Sequence, residues 1–509
     1  MQAGLPQFSA PPRRPTADAP ILRRRRSCKG APRPIAPRSP RRQPAVNDPE
    51  KVQAVKQRLE AAGVRYCFAA YVDVHGAPKA KTVPLDCFEK MCAGSELFTV
   101  GAMEGMGLVG PEKDECAAIP DLDSLIVFPW DSRYAWFAAD LHHAGAPYAN
   151  CSRVILKRAA ERARAAGFTM NLGVEMEFYV FRETPEGLAP LQPRPHKGLC
   201  PGYDVHQTLQ SMDYLDRLVQ AMNALGWKVY SFDAEGGQGQ FEVDFAYADA
   251  LTMADRLTFF RFMAKTLAQE MGLVASFMPK PFATDFRSGA HFNMSLADAA
   301  TGENLFAGPS GALADRHGIP FPDIGYHFVA GLLAHAEALT AVTCPTHNSY
   351  KGLVAQGRMA DMSWAPVLKA YGKNNRSAML RLPMNRPCVE NRAPDVGCNF
   401  HLGAAMSLAA GLEGVLAKAD PGAPMNDNLY LRLDRPTAMD SFPTTDGDRV
   451  KRLPRTLLEA LAAFEADPLS AEALGPEMRD IYLDWKLREW ERDFYAVDAG
   501  ERDRMLTAL

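Results

Sequence analysis

The sequence predicts an α+β fold in two unequal parts, and three observations carry that prediction. Short strand patterns fill residues 65–140. Near Tyr148 they give way to longer helical patterns alternating with strands up to about Val389, and residues 453–509 read as helical. With 509 residues, 47% apolar and 23% charged, the chain is long enough for two domains and has ample material for a core.

Taken in order, residues 1–48 hold ten Arg, one Lys, two Asp and ten Pro, including four consecutive arginines from Arg23 to Arg26. They lack the apolar periodicity that would bury surface and are expected to be a disordered basic extension. A transit peptide or basic arm is the weaker reading, because Ser is sparse and no amphipathic pattern appears. A start near Val46, with the preceding residues absent from the native protein, is favoured. Residues 49–148 form the smaller domain: an amphipathic helix over 49–62 stopped by Gly63, then strands over 65–72 and 77–83 around Asp73-Val-His-Gly76. Residues 149–509 form the larger one, with a helix over 152–166, a strand over 170–181 and a helix over 212–225. In the tail Leu457, Leu458, Leu461 and Phe464 share a face, and Trp485 and Trp490 read as packing residues.

The net charge of −3 leaves −12 on residues 49–509, an acidic body that argues against nucleic-acid binding. Ten scattered cysteines without a CxxC pair point to free thiols and a cytoplasmic protein. No stretch of ~18 uninterrupted apolar residues marks a membrane span.

Five segments carry chemistry. In residues 171–181, alternation puts Glu175 and Glu177 together on one strand face, where two like charges repel unless a cation lies between them. Taken alone, this is better read as a half-buried strand with two solvated acids. Glu235 precedes a glycine-rich turn and Glu242 follows it on a strand with Phe241, Val243 and Phe245 on the other face. His291, Asn293 and Ser295 share a face in residues 288–296. Arg376 and Arg381 offer planar forks to phosphates, and Glu390 and Arg392 share a strand face. Hard oxygen donors with one imidazole suit Mg²⁺ or Mn²⁺ rather than zinc. Gly105-Met-Gly-Leu-Val-Gly110 matches a dinucleotide fingerprint, but Pro111 follows directly and no βαβ unit surrounds it.

At these residues the chain resembles the glutamine synthetase family. The family's first acidic strand appears as Gly-Val-Glu-Met-Glu-Phe at 173–178 and its acid–glycine loop at 235–242. Phe-Met-Pro-Lys-Pro stands at 277–281, Ser-Gly-Ala-His at 288–291, Asn-Ser-Tyr-Lys at 348–351 and Asn-Arg-Ser-Ala at 375–378. The ordered set spans residues 65 to about 430. The resemblance implies a β-grasp-like first domain and a catalytic domain built on a curved antiparallel sheet. It implies that Glu177, Glu235 and Glu242 hold one metal and that Glu175, His291 and Glu390 hold a second. It further implies that Arg376 and Arg392 stabilise phosphoryl transfer from ATP, with Arg381, Asn293 and Ser295 near the nucleotide. The family joins glutamate to ammonia through γ-glutamyl phosphate, in stacked rings of identical subunits whose active sites lie between neighbours.

The chain departs from that pattern on the acceptor side. Trp364 stands where the flap normally carries a glutamate before Ala-Pro, Gly352 where an arginine follows Asn-Ser-Tyr-Lys, and Phe286-Arg287 where Asn-Gly precedes Ser-Gly-x-His. The first domain's Asp-Gly-Ser is missing from residues 97–107, where Glu104 is the lone acid. Asn428-Leu-Tyr430 resembles an adenylylation site, but Leu431-Arg432 departs from it and modification there is not expected. These features resemble the branch of type III (rhizobial-type) glutamine synthetases and γ-glutamylmethylamide synthetases. Ammonia is expected as the acceptor, with methylamine close behind. A non-catalytic relative and a guanidino phosphotransferase remain open as other functions. The full set of five carboxylates plus His291 favours catalysis.

Overall fold

The computed structural model describes residues 47–102, 105–191, 202–354, 364–432, 441–443 and 449–506. The basic extension, save its last two residues, and Glu104 lie outside them. The described residues form one compact unit, built on two large sheets beside a two-stranded one of Ser441–Pro443 and Arg449–Lys451.

Helix Pro49–Ala61 is capped by the Asp48 carboxylate, which accepts from the Glu50 amide, and buries Val52, Val55 and Leu59. The smaller sheet contains β1 (Tyr66–Val72), β2 (Pro78–Lys79), β3 (Thr82–Pro84), β4 (Leu97–Phe98), β5 (Cys116–Pro120), β6 (Ile126–Val127), β7 (Tyr134–His143) and β8 (Ala146–Pro147). Its main path runs β2–β1–β7–β5–β4, with β1 and β7 parallel. The single strand expected over 77–83 is instead two short ones. β2 pairs with the end of β1 and β3 with its beginning, so Ala80 and Lys81 cross between them.

The larger sheet is assembled on β9 (Phe168–Thr184), which at 17 residues outruns the expected strand at both ends. It holds β10 (Gly187–Pro190), β11 (Val229–Ala234), β12 (Gln240–Phe245), β13 (Ala248–Asp249), β14 (Leu273–Ser276), β15 (Ala290–Asp298), β16 (Tyr371–Lys373), β17 (Leu380–Leu382) and β18 (Val389–Asn391). The order along its path is β11–β12–β9–β15–β18–β17–β16, antiparallel throughout except for β16 and β17. The apolar alternates of β9, among them Val174, Met176, Phe178 and Val180, enter the main core. Their neighbours are left to the opposite face.

Helix Phe400–Ala417 is apolar and long enough to cross a membrane by composition alone, but 78% of it is buried inside the fold. It packs on helices Asp323–Ala334 and Ser152–Ala165 as the central core helix. In the tail Leu457, Leu461 and Phe464 are buried, whereas Leu458 is 39% exposed and leaves the face assigned to it, one helical step of about 100° from Leu457. Trp485 donates to Glu489 (3.0 Å), and the buried Lys486 ammonium bonds Glu489 (2.8 Å) beside His75. Helix Pro476–Phe494 is thereby fixed to the β1–β2 turn. All eight cysteines among the described residues are free.

Candidate active site

Register alone brings the acids into one row across the larger sheet. Glu242 on β12 lies opposite Glu177 on β9, and Glu175 lies opposite His291 on β15. Asn293 on β15 lies opposite Glu390 on β18, which faces Arg381 on β17. Because successive side chains alternate faces, five separate segments deliver their polar groups to one side.

Among the described residues, two sets of three have ligand atoms all within 4.8 Å of one another: Glu175, His291 and Glu390, and Glu177, Glu242 and His291. The first is the triad implied for the second metal. In the other set His291 takes the place given to Glu235, which lines the same cavity from its glycine turn without joining the cluster. The His291 ring reaches both carboxylates of β9, with Nδ1 3.2 Å from Glu175 Oε2 and Nε2 3.7 Å from Glu177 Oε1. Burial, and then the Arg392 charge, lower its pKa to about 4, so the ring is neutral and available as a ligand.

The acids divide by how their charge is met. Burial raises both Glu390 and Glu175, but at Glu390 the Arg392 charge outweighs it, and at Glu175 the interaction with His291, followed by Arg386 and Arg392, does so. Arg392 Nη1 sits 2.5 Å and Arg381 Nη1 2.6 Å from Glu390, and Arg386 Nη2 lies 2.7 Å from Glu175. Both carboxyls are held below the usual range. On the other side, burial and the Glu235 charge push Glu177 up to about 8, and burial with Glu177 and Glu175 pushes Glu242 well above its ordinary value. Burial also raises Glu235. A buried group of acids kept neutral by protons wherever arginine does not reach fits divalent cations, which would replace the protons with charge.

Glu175, Glu177, Glu235, Glu242 and His291 line a cavity of about 310 Å³ together with Arg376, Arg392, Trp364, Phe286 and Arg287. A second cavity of about 430 Å³, lined by Asn293, Ser295, Tyr230 and Tyr247, adjoins it and shares Glu175 and Arg386. Trp364 is 52% exposed with a left-handed backbone (φ 43°). Tyr430 donates to the Ala365 carbonyl (3.0 Å).

The motifs missed Arg386, Gln240, Asp233 and Asp244. Arg386 bonds both Glu175 and Glu390. Gln240 Nε2 donates to Glu177 (3.0 Å) and to the Arg287 carbonyl (2.8 Å). Asp233 and Asp244 are raised by burial and neighbouring acids to about 6 and about 7. Alternation along β11 and β12 was the available signal, since Asp233 is two residues before Glu235 and Asp244 two after Glu242.

Residues 149–505 match the model of the glutamine synthetase catalytic domain. The chain belongs to the glutamine synthetase family. A glutamate–methylamine ligase of Methyloversatilis universalis is 39% identical over 86% of this chain and 94% of its own length. A glutamine synthetase of Rhizobium meliloti is 36% identical over 84% and 93%. Among solved structures, the GmaS/ADP complex superposes with a TM-score of 0.79 at 33% identity, covering 89% of this chain and 99% of that one. The α+β architecture with its curved antiparallel sheet is thus the glutamine synthetase fold, as the sequence implied. Membership in this ATP- and metal-using ligase family accounts for the acid row and the arginines beside it.

Proposed function

We propose that this chain is an ATP-dependent glutamate–methylamine ligase, which activates the γ-carboxylate of L-glutamate as γ-glutamyl phosphate before the amine displaces phosphate. The observation that carries the acceptor is Trp364. Its half-exposed indole lines the reaction cavity where the sequence pattern of glutamine synthetases places an ammonium-trapping carboxylate. An aromatic face attracts a methylated ammonium through both its charge and its methyl group. The similarity to the glutamate–methylamine ligase of Methyloversatilis universalis supports the same choice, and together they reverse the lean toward ammonia drawn from sequence alone.

Glu177, Glu235 and Glu242 would hold one Mg²⁺ or Mn²⁺ ion, and Glu175, His291 and Glu390 a second. Such ions neutralise phosphate charge as it shifts in the transition state. The nucleotide occupies the cavity of Asn293, Ser295, Tyr230 and Tyr247, and the shared wall of Glu175 and Arg386 directs its phosphates toward the acids. Arg392, fixed by Glu390, and Arg376, whose carbonyl accepts from Arg392 Nε (3.2 Å), stabilise the transferring phosphoryl group. Arg381 holds the other oxygen of Glu390 and so orients that carboxylate. Asp233 Oδ1, buried without a hydrogen-bond partner among the described residues, takes the proton that the ammonium must lose before it attacks. Family resemblance supports a homo-oligomer of stacked rings in the cytoplasm, with active sites completed by a neighbouring subunit; light scattering of the purified protein measures the assembly.

The test compares phosphate release with ATP, Mg²⁺ and L-glutamate as methylammonium or ammonium is varied. A kcat/KM at least about tenfold higher for methylammonium, equivalent to ~1.4 kcal/mol, is expected. A preference for ammonium would make the protein a glutamine synthetase.

A further inference from the structure

We infer that Arg287 grips the α-carboxylate of the amino-acid substrate and sets the specificity for glutamate. The inference rests on the reading of glutamate as substrate. A substrate with two carboxylates entering a cavity walled by acids needs a fixed cation for the carboxylate that does not react. Five arginines line that cavity, and three of them are spent: Arg381, Arg386 and Arg392 are ion-paired with Glu390 or Glu175. Among the described residues, Arg376 and Arg287 have no acidic partner. Arg376 lies beside Arg392, whose Nε donates to its carbonyl, and belongs to the phosphoryl end.

Arg287 is built differently. Only 4% of it is exposed, and its Nη2 is anchored on the carbonyls of Ala393 (2.9 Å) and Pro394 (2.8 Å). Its Nη1 is buried and has no acceptor among the described residues. A buried guanidinium nitrogen without an acceptor is costly, and a carboxylate supplies what it lacks. The stem is clamped as well: a Cβ at Gly352 would come within 2.8 Å of Arg287 Cβ and 3.1 Å of its Cδ, so the backbone there lies against the arginine. Gly352 and Arg287, two separate departures in the sequence, thus form one device: the glycine vacates the space that the arginine's stem fills. Gln240 links this device to the reaction, since one Nε2 donates to both the Arg287 carbonyl and Glu177. A substrate held at Arg287 by its α-carboxylate therefore has its grip tied to the acids that serve its γ-carboxylate.

The experiment compares L-glutamate with 4-aminobutyrate, which lacks only the α-carboxylate, in the full-length enzyme with ATP, Mg²⁺ and its better amine. Arg287→Gln is expected to lower kcat/KM for L-glutamate about 30- to 100-fold, mainly through KM, with the KM for ATP and for the amine within about twofold of wild type. The rate with 4-aminobutyrate should change no more than about threefold, so the discrimination between the two collapses. Arg287→Lys, which keeps the charge but not the fork, should recover part of the glutamate KM. An equal loss with both substrates, or a rise in all three KM values, would show a merely structural arginine and overturn the assignment. So would an unchanged glutamate KM. Wild-type preference for ammonium would overturn the acceptor reading and leave this test standing.

Discussion

Each acid in the row has a proton or an arginine as its counter-charge, and the two behave differently when a metal arrives. Glu177, with its pKa pushed up to about 8 by burial and Glu235, is protonated in the metal-free protein below that pH. Metal binding must expel the proton, so Mn²⁺ affinity should rise with pH up to about 8 and then level off. Calorimetry in buffers of different ionisation enthalpy should record proton release at pH 7. Trp364 acts on the acceptor alone: Trp364→Ala is expected to raise the KM for methylammonium about 3- to 30-fold and leave those for ATP and glutamate within about twofold. At this scale the sequence was informative wherever one strand carried the signal. Glu175 and Glu177 declared themselves by alternation, and Glu390 and Arg392 by a shared face. Arg386 was silent because its bonds to Glu175 and Glu390 depend on the β17–β18 connection, which no local pattern encodes. The fit between Arg287 and Gly352 joins positions 65 residues apart and was visible only as two unexplained departures.

Among elements, β9 carries the most, pairing with β12 and β15 and bearing both acids. Its neighbour Gly289 shows how tightly the strands are drawn together. A Cβ there would approach His291 Nε2 to 2.6 Å and Glu177 Oε1 to 3.0 Å, while the Gly289 amide donates to Glu177 Oε2 (2.8 Å). Gly289→Ala should therefore weaken Mn²⁺ binding at least about tenfold by titration, with the far-ultraviolet circular dichroism unchanged. Helix and strand periodicity foretold most of these elements within a few residues. It failed where pairing rather than pattern decided, as in the strand expected over 77–83, which both ends of β1 compete for and split. Leu458 was misplaced because its face followed from hydrophobicity, whereas the packed stripe of that helix is the one set by Leu457, Leu461 and Phe464.

Across the whole molecule, Arg153 on helix Ser152–Ala165 joins the smaller sheet to helix Ala250–Glu270. It is 4% exposed and bonds Asp121 (2.8 Å), Asp140 on β7 (2.8 Å) and Asp255 on helix Ala250–Glu270 (3.0 Å), with His401 on the other side of Asp255 (2.9 Å). Arg153→Ala strands three carboxylates and should cost about 3–5 kcal/mol in denaturant unfolding. Burial raises the Asp255 pKa, but Arg153 and His401 outweigh it and leave it below the ordinary value. Its folded pKa is thus depressed, so its contribution is complete above the unfolded pKa of ~3.9 and disappears as pH falls through the folded one. Asp255→Asn should accordingly flatten the acid limb of the stability curve. No sequence motif pointed to this hub, because the three carboxylates of Arg153 and the His401 beyond them come from four separate stretches of chain.

The length of β9 has one more consequence. Glu175 and Glu177 stand two residues apart on a single strand, a step of about 6.6–6.8 Å fixed by the backbone repeat. The scale of the phosphoryl centre is therefore a ruler etched into a strand that cannot lengthen or slip without turning both acids to the wrong face. Trp364 sits outside that ruler, at the start of residues 364–367, which form neither helix nor strand. A lineage could exchange one amine for another there, substitution by substitution, while the ATP chemistry stayed calibrated.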